Sequence, residues 1–121
     1  MSTITFAKLD SSRPTNGYVD FKATVDVKFA SHEINSLWEI EMQLWEDDTL
    51  SDDKLGGPVR RSFTSVKQDM KVEISRRLRT TTVGTELGDE EVFGTIKVRP
   101  LNTPPAFVTS TAKTGIQVVN V

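Results

Sequence analysis

An all-β fold, an antiparallel two-sheet β-sandwich of about seven or eight strands, is what the sequence predicts. Three observations carry the prediction. Long runs alternate apolar and polar residues with a period of two, turn-forming residues punctuate the chain at short intervals, and no segment repeats its apolar residues at helical spacing. A small β-barrel closed from the same strands is the alternative.

The elements follow in chain order. Ile4 to Leu9 reads as the first strand. The stretch Arg13-Pro14-Thr15-Asn16-Gly17 then supplies a turn, since Asn and Gly both accept positive φ. From Val19 to Phe29 every odd position is apolar, and Asp20, Lys22, Thr24, Asp26 and Lys28 stand between them. Successive side chains of a strand point to opposite faces, so this run has one buried and one wet face. After a connection over 31–36, Trp38, Ile40, Met42 and Leu44 share one face, while Glu39, Glu41 and Gln43 share the other.

Lys54-Leu55-Gly56-Gly57-Pro58 reads as a turn, followed by a strand from Val59 to Val66. Met70, Val72, Ile74 and Leu78 define the next apolar face. Arg76 falls on that face and breaks the pattern, as at a bulge or where a strand leaves the core. Gly88-Asp89-Glu90 reads as a turn, and Val92 to Val98 as a strand ended by Pro100, which cannot extend a ladder. After a turn at Thr103-Pro104-Pro105, Phe107 to Thr111 and Ile116 to Val121 are the last two strands.

The 121 residues suit one domain, 1–121, large enough to bury a core without disulfides or metal. The composition is globular, with 36% hydrophobic and 26% charged residues. No cysteine is present, which removes disulfides, zinc thiolate sites and thiol catalysis. A net charge of −2 argues against general nucleic-acid binding. No run is long and apolar enough for an integral membrane segment, and no signal peptide is visible at Met1–Phe6. The compartment stays open, with the cytoplasm as the default expectation.

The most unusual segment is the acidic stretch 46–53, in which Glu46, Asp47, Asp48, Asp52 and Asp53 place five carboxylates within eight residues. Calcium takes about six to eight hard oxygen ligands, so Asp47, Asp48, Asp52 and Asp53 are candidate ligands. Asp89, Glu90 and Glu91 form a second acidic turn able to approach them. The stretch lacks EF-hand spacing, and a solvated loop is the plainer reading. No other cofactor is expected.

Trp45 lies on the polar phase of its strand and is the candidate anchor for a partner; coverage by a neighbouring element is the alternative. Arg77 and Arg79 share a strand face and could present two guanidinium groups to a carboxylate or phosphate. Cross-strand ion pairing within the chain is the ordinary alternative. His32, the one histidine, sits in a short connection with no nucleophile motif near it, so no catalytic residue is expected. The final strand is apolar and low in charge, and must be paired inside the sheet or with another subunit.

These residues predict a non-enzymatic structural or protein-interaction module whose partner is another protein or itself, self-assembly running through edge strands. A calcium-dependent ligand- or membrane-binding module using the 46–53 loop is the alternative.

Overall fold

The longest alternation of the sequence becomes the centre of a sheet. In the computed structural model, which describes residues 2–48, 51–84, 89–101 and 109–120, strand β2 (Tyr18–Lys28) buries Val19, Phe21, Ala23, Val25 and Val27 almost completely. It is flanked by β1 (Thr3–Ser11) and β5 (Asp69–Arg79), both antiparallel to it. The second sheet is built on β3 (Leu37–Glu46), which buries Trp38, Ile40, Met42 and Leu44. Strands β4 (Asp53–Thr64) and β6 (Asp89–Pro100) flank β3. Beyond β6 run β7 (Ser110–Lys113) and β8 (Gln117–Asn120), both paired to β6.

The sheets pack face to face with the orders β1-β2-β5 and β4-β3-β6-β7, and no barrel closes. Their inner faces form one apolar cluster, in which the rings of Phe29 and Trp38 lie 4.9 Å apart. Each fully buried large side chain there contributes about 1.5–3 kcal/mol relative to exposure.

Several boundaries differ from expectation. Residues Lys54–Pro58 are not a turn: they belong to β4, which starts at Asp53. Gly56 takes φ +70° there, and the β3–β4 register shifts between Met42 and Leu44. Glycine thus forms a bulge within a strand, and the β3–β4 connection is the acidic segment itself. A Cβ on Gly56 would stand 3.1 Å from Leu78 Cδ2 and 3.3 Å from Arg76 Nη2. The bulge makes room for the half-buried Arg76, which explains why an arginine interrupts the apolar face of β5.

The acidic turn expected at Asp89-Glu90-Glu91 is the start of β6, with Glu90 buried on the inner face. Two single turns of helix also occur, a 3-10 turn at Ser31–Glu33 and an α-helical turn α1 at Thr80–Val83. Both are too short to carry a sequence periodicity. The Thr103-Pro104-Pro105 turn, Gly88 and the Phe107 end of the expected strand lie outside the described residues. Asn16 and Gly17, by contrast, take φ 53° and 82° in a tight turn closed by two hydrogen bonds between Thr15 and Tyr18.

The end of the sandwich near residue 37 is held by one buried hydroxyl. Ser65 Oγ accepts from the Ser36 backbone N–H at 3.1 Å and from Trp38 Nε1 at 3.2 Å. It donates to the Glu33 carbonyl at 2.5 Å. Burial of a polar group costs little when every partner is present. The opposite end of β3 carries Trp45, and there the chemistry changes.

Candidate functional site

Trp45 projects from the outer face of the five-stranded sheet. Pairing in β3 places it opposite Lys54 of β4 and Phe93 of β6. Its ring is half-buried, and Nε1 donates to Thr95 Oγ1 at 2.9 Å. The indole therefore offers a partner its ring rather than its N–H. The Phe93 ring lies parallel beside it, with centroids 6.3 Å apart and planes 6° from parallel. Lys54 Nζ stands 5.7 Å from the Trp45 ring centroid, and Lys113 Nζ stands 4.1 Å from that of Phe93. A cation, two aromatic rings and a second cation thus form one row across the four strands β4, β3, β6 and β7. Each such cation–ring contact contributes about 0.5–1 kcal/mol at an exposed site.

Phe93 is only 2% exposed although it faces outward. It stands apart from the inter-sheet core cluster and owes its cover to its neighbours on the outer face, Lys113 among them. Sequence reading missed it. The available signal was an aromatic residue on the polar phase of its strand, as with Trp45, but their adjacency depends on the β3–β6 register.

The row borders a groove of about 590 Å3, lined among others by Trp45, Lys54, Pro58, Thr95, Lys97 and Lys113. Among the described residues its one carboxylate, Glu41, is engaged by Arg60 Nη2 at 2.7 Å and by Lys97 at 3.9 Å. One register step along β3, Glu39 takes Arg99 Nη2 at 2.7 Å and Arg60 Nε at 3.8 Å. Three lysines against one already-paired glutamate leave the groove positive in a chain whose net charge is −2. Lys54 was obscured in the sequence by its expected place in a turn, and Lys113 by its place between two expected strands.

Arg77 and Arg79 lie elsewhere, on the outer face of the three-stranded sheet. Arg77 is bidentate to Asp20, with Nε to Oδ1 at 2.8 Å and Nη2 to Oδ2 at 3.2 Å, and its guanidinium lies over the Tyr18 ring. The hydrogen bond from Arg77 holds the Asp20 carboxyl below its ordinary range. Arg77 is therefore engaged by a cross-strand partner, and Arg79 is exposed opposite Tyr18. The structure does not bring either arginine to Trp45.

The described acidic residues of this stretch lie at the same end of the sheet as Trp45, with Glu46 on the inner phase of β3. Glu46 and Asp53 are opposed in the β3–β4 register. The Asp47 N–H donates to the Glu91 carbonyl at 2.8 Å, and the Asp48 N–H approaches Asp52 Oδ1 at 3.4 Å. Glu46 itself carries the strongest electrostatic strain of this end. A hydrogen bond with Glu90, then burial, then the charges of Glu90, Asp53 and Asp48 push its carboxyl from 4.5 up to about 7. Among the described residues no three His, Cys, Asp or Glu side chains are grouped to hold a metal ion. His32 sits in the 3-10 turn before β3, at the other end of that strand from Trp45.

Among the described residues no helix is long and apolar enough to cross a membrane. No family model matches the sequence, and no curated protein matches it. Among solved structures the chain is similar over 99% of its length to a crystal structure described as a putative beta-galactosidase from Bacteroides fragilis, with a TM-score of 0.60 and 13% identity. The chain spans only 17% of that protein, so the likeness is to one part of a much longer chain and shows a shared sandwich fold.

Proposed function

We propose that this chain is a non-enzymatic protein-interaction module and that its working surface is the outer face of the five-stranded sheet. One observation carries the reading: the Lys54–Trp45–Phe93–Lys113 row beside a groove of about 590 Å3. Large aromatic side chains and cations clustered in a concavity are the usual anchors of a binding site. The resemblance to one part of a longer enzyme fits an accessory sandwich and carries no chemistry with it.

Edge-strand assembly receives less support from the geometry. The free edge of β4 is interrupted by the Gly56 bulge and by Pro58, which has no N–H to donate. On the edge of β5, Arg61 Nη1 donates to the Glu73 carbonyl at 2.7 Å. Strand β8 pairs with β6 inside the chain. The edge of β1 carries an exposed Phe6, and its pairing with β2 is itself irregular between Ile4 and Phe6.

Calcium binding is the second reading, favoured by the crowding that raises Glu46. A bound cation would relieve that repulsion and raise the melting temperature by mass action. Equal melting curves in millimolar calcium and in chelator would remove it.

The interaction reading is tested with Trp45 emission, because Trp38 is sealed in the core. A panel of acidic, neutral and basic peptides and neutral oligosaccharides is titrated into the protein and into Trp45→Phe. A saturable change that is absent in Trp45→Phe is the expected result. No response to any member of the panel would overturn the reading.

A further inference from the structure

The groove is positive and aromatic, and that combination narrows its partner. We infer that it takes an extended acidic peptide segment, whose carboxylates are met by Lys54 and Lys113; this rests on the reading of the groove as an interaction surface.

Charge complementarity is the first argument. Glu41 is held by Arg60 and Lys97, so among the described residues the ammonium groups of Lys54 and Lys113 are the uncompensated charges of the groove, each resting over a ring. A cation over an aromatic face keeps its N–H donors for an incoming acceptor.

Spacing is the second. Lys54 on β4 and Lys113 on β7 are separated by three inter-strand steps, about 14 Å across the sheet. Same-side residues of an extended peptide recur about every 6.8 Å, so carboxylates at positions i and i+4 span about the same length. Lys97 stands off that line, four residues along β6 from Phe93 and opposite Glu41, with which it pairs.

A short acidic segment fits this surface better than a long polyanion. The positive field is local. Glu91 lies just beyond Phe93 on the same face, and Glu46, Asp48 and Asp53 close that end of the sheet. With a net charge of −2, the chain repels a uniform polyanion such as nucleic acid or a sulfated polysaccharide outside the groove. Carboxylates on one face of a short peptide meet Lys54 and Lys113 without extending into the acidic rim.

The test uses fluorescein-labelled peptides of the pattern Glu-Thr-Glu-Thr-Glu, and the same pattern with Gln for Glu, in anisotropy titrations against the full chain. The acidic peptide binds saturably, at least tenfold more tightly than its Gln counterpart, and more weakly as salt rises. Lys54→Glu/Lys113→Glu weakens it at least tenfold. Lys22→Glu/Lys71→Glu, on the other sheet, leaves it unchanged. Circular dichroism melting of both double variants verifies that they fold, and Lys54→Gln/Lys113→Gln, which adds no repulsion, is to show the same direction of change. Three outcomes would overturn the inference: equal binding of the Gln peptide, tighter binding of heparin than of the acidic peptide, or self-association that depends on Lys54 and Lys113 with no peptide binding. If the Gln peptide binds and Trp45→Phe still abolishes its signal, the acidic preference fails while the groove remains a binding surface. If nothing binds, both fall together.

Discussion

The two outer faces of the sandwich are built from the same kinds of residue and reach different ends. On the three-stranded sheet, Lys22 meets Glu73 at 3.9 Å, Arg77 meets Asp20 at 2.8 Å and Lys8 meets Asp10 at 3.6 Å. Acid and base meet there, between strands at Arg77–Asp20 and Lys22–Glu73 and along β1 at Lys8–Asp10, so much of that face compensates its own charge. On the five-stranded sheet the glutamates are paired along one half, while the other half carries two rings under two lysines. A face that compensates its own charges needs no partner. A face with charge left over and aromatic surface beneath it is equipped to meet one.

The comparison breaks first at Phe93. If the ring is as well covered as an interior residue, Phe93→Ala lowers unfolding free energy by about 3 kcal/mol, and chemical denaturation measures it. Phe6→Ala on the other sheet removes an aromatic ring that is 53% exposed, and should stay within about 0.5 kcal/mol. Similar losses for the two would erase the distinction between the faces.

The acidic end of the five-stranded sheet sharpens it next. Folded Glu46 keeps its proton up to about pH 7, whereas its ordinary value is 4.5. Between those values the folded chain binds more protons than the unfolded one. Stability contributed by this group is therefore present below pH 4.5 and is lost as pH rises through 7. With Glu46 only half-buried, solvent screening reduces the loss to about 1 kcal/mol. Melting curves from pH 5 to 8 record it, and Glu46→Gln should flatten the profile.

A smaller effect is expected at Thr95. Thr95→Val deprives the Trp45 N–H of its acceptor and costs about 0.5–1 kcal/mol, with a shift in indole emission. The smallest is at Arg77. Its pair with Asp20 is between exposed side chains, so Arg77→Ala should leave the melting temperature and peptide binding unchanged.

Most of the fold was legible because alternation is local information. The apolar phases of β2, β3 and β5 read directly as the buried faces, and Arg76 marked the place where the phase of β5 failed. Trp45 was legible as an outward aromatic for the same reason. Its companions were not. Phe93, Lys54 and Lys113 come to Trp45 through pairing between strands far apart in sequence, and Lys54 sat in a segment whose glycines suggested a turn. Glu90 was obscured in a similar way, since an acidic cluster after a glycine reads as surface until β6 carries it inside. Arg77 was legible as a charged strand residue, and its bidentate partner Asp20 followed only from the β2–β5 register.

The glycine bulge at position 56 has a consequence for how the molecule breathes. It seats an arginine between β4 and β5, and Arg61 adds a polar clasp on the same flank. Water regains polar groups more readily than apolar ones, so this side is the natural place for the two layers to part. Amide exchange along the outer margins of β4 and β5 should then outpace exchange in β2, β3 and β6, giving the sandwich a hinge side and a sealed side.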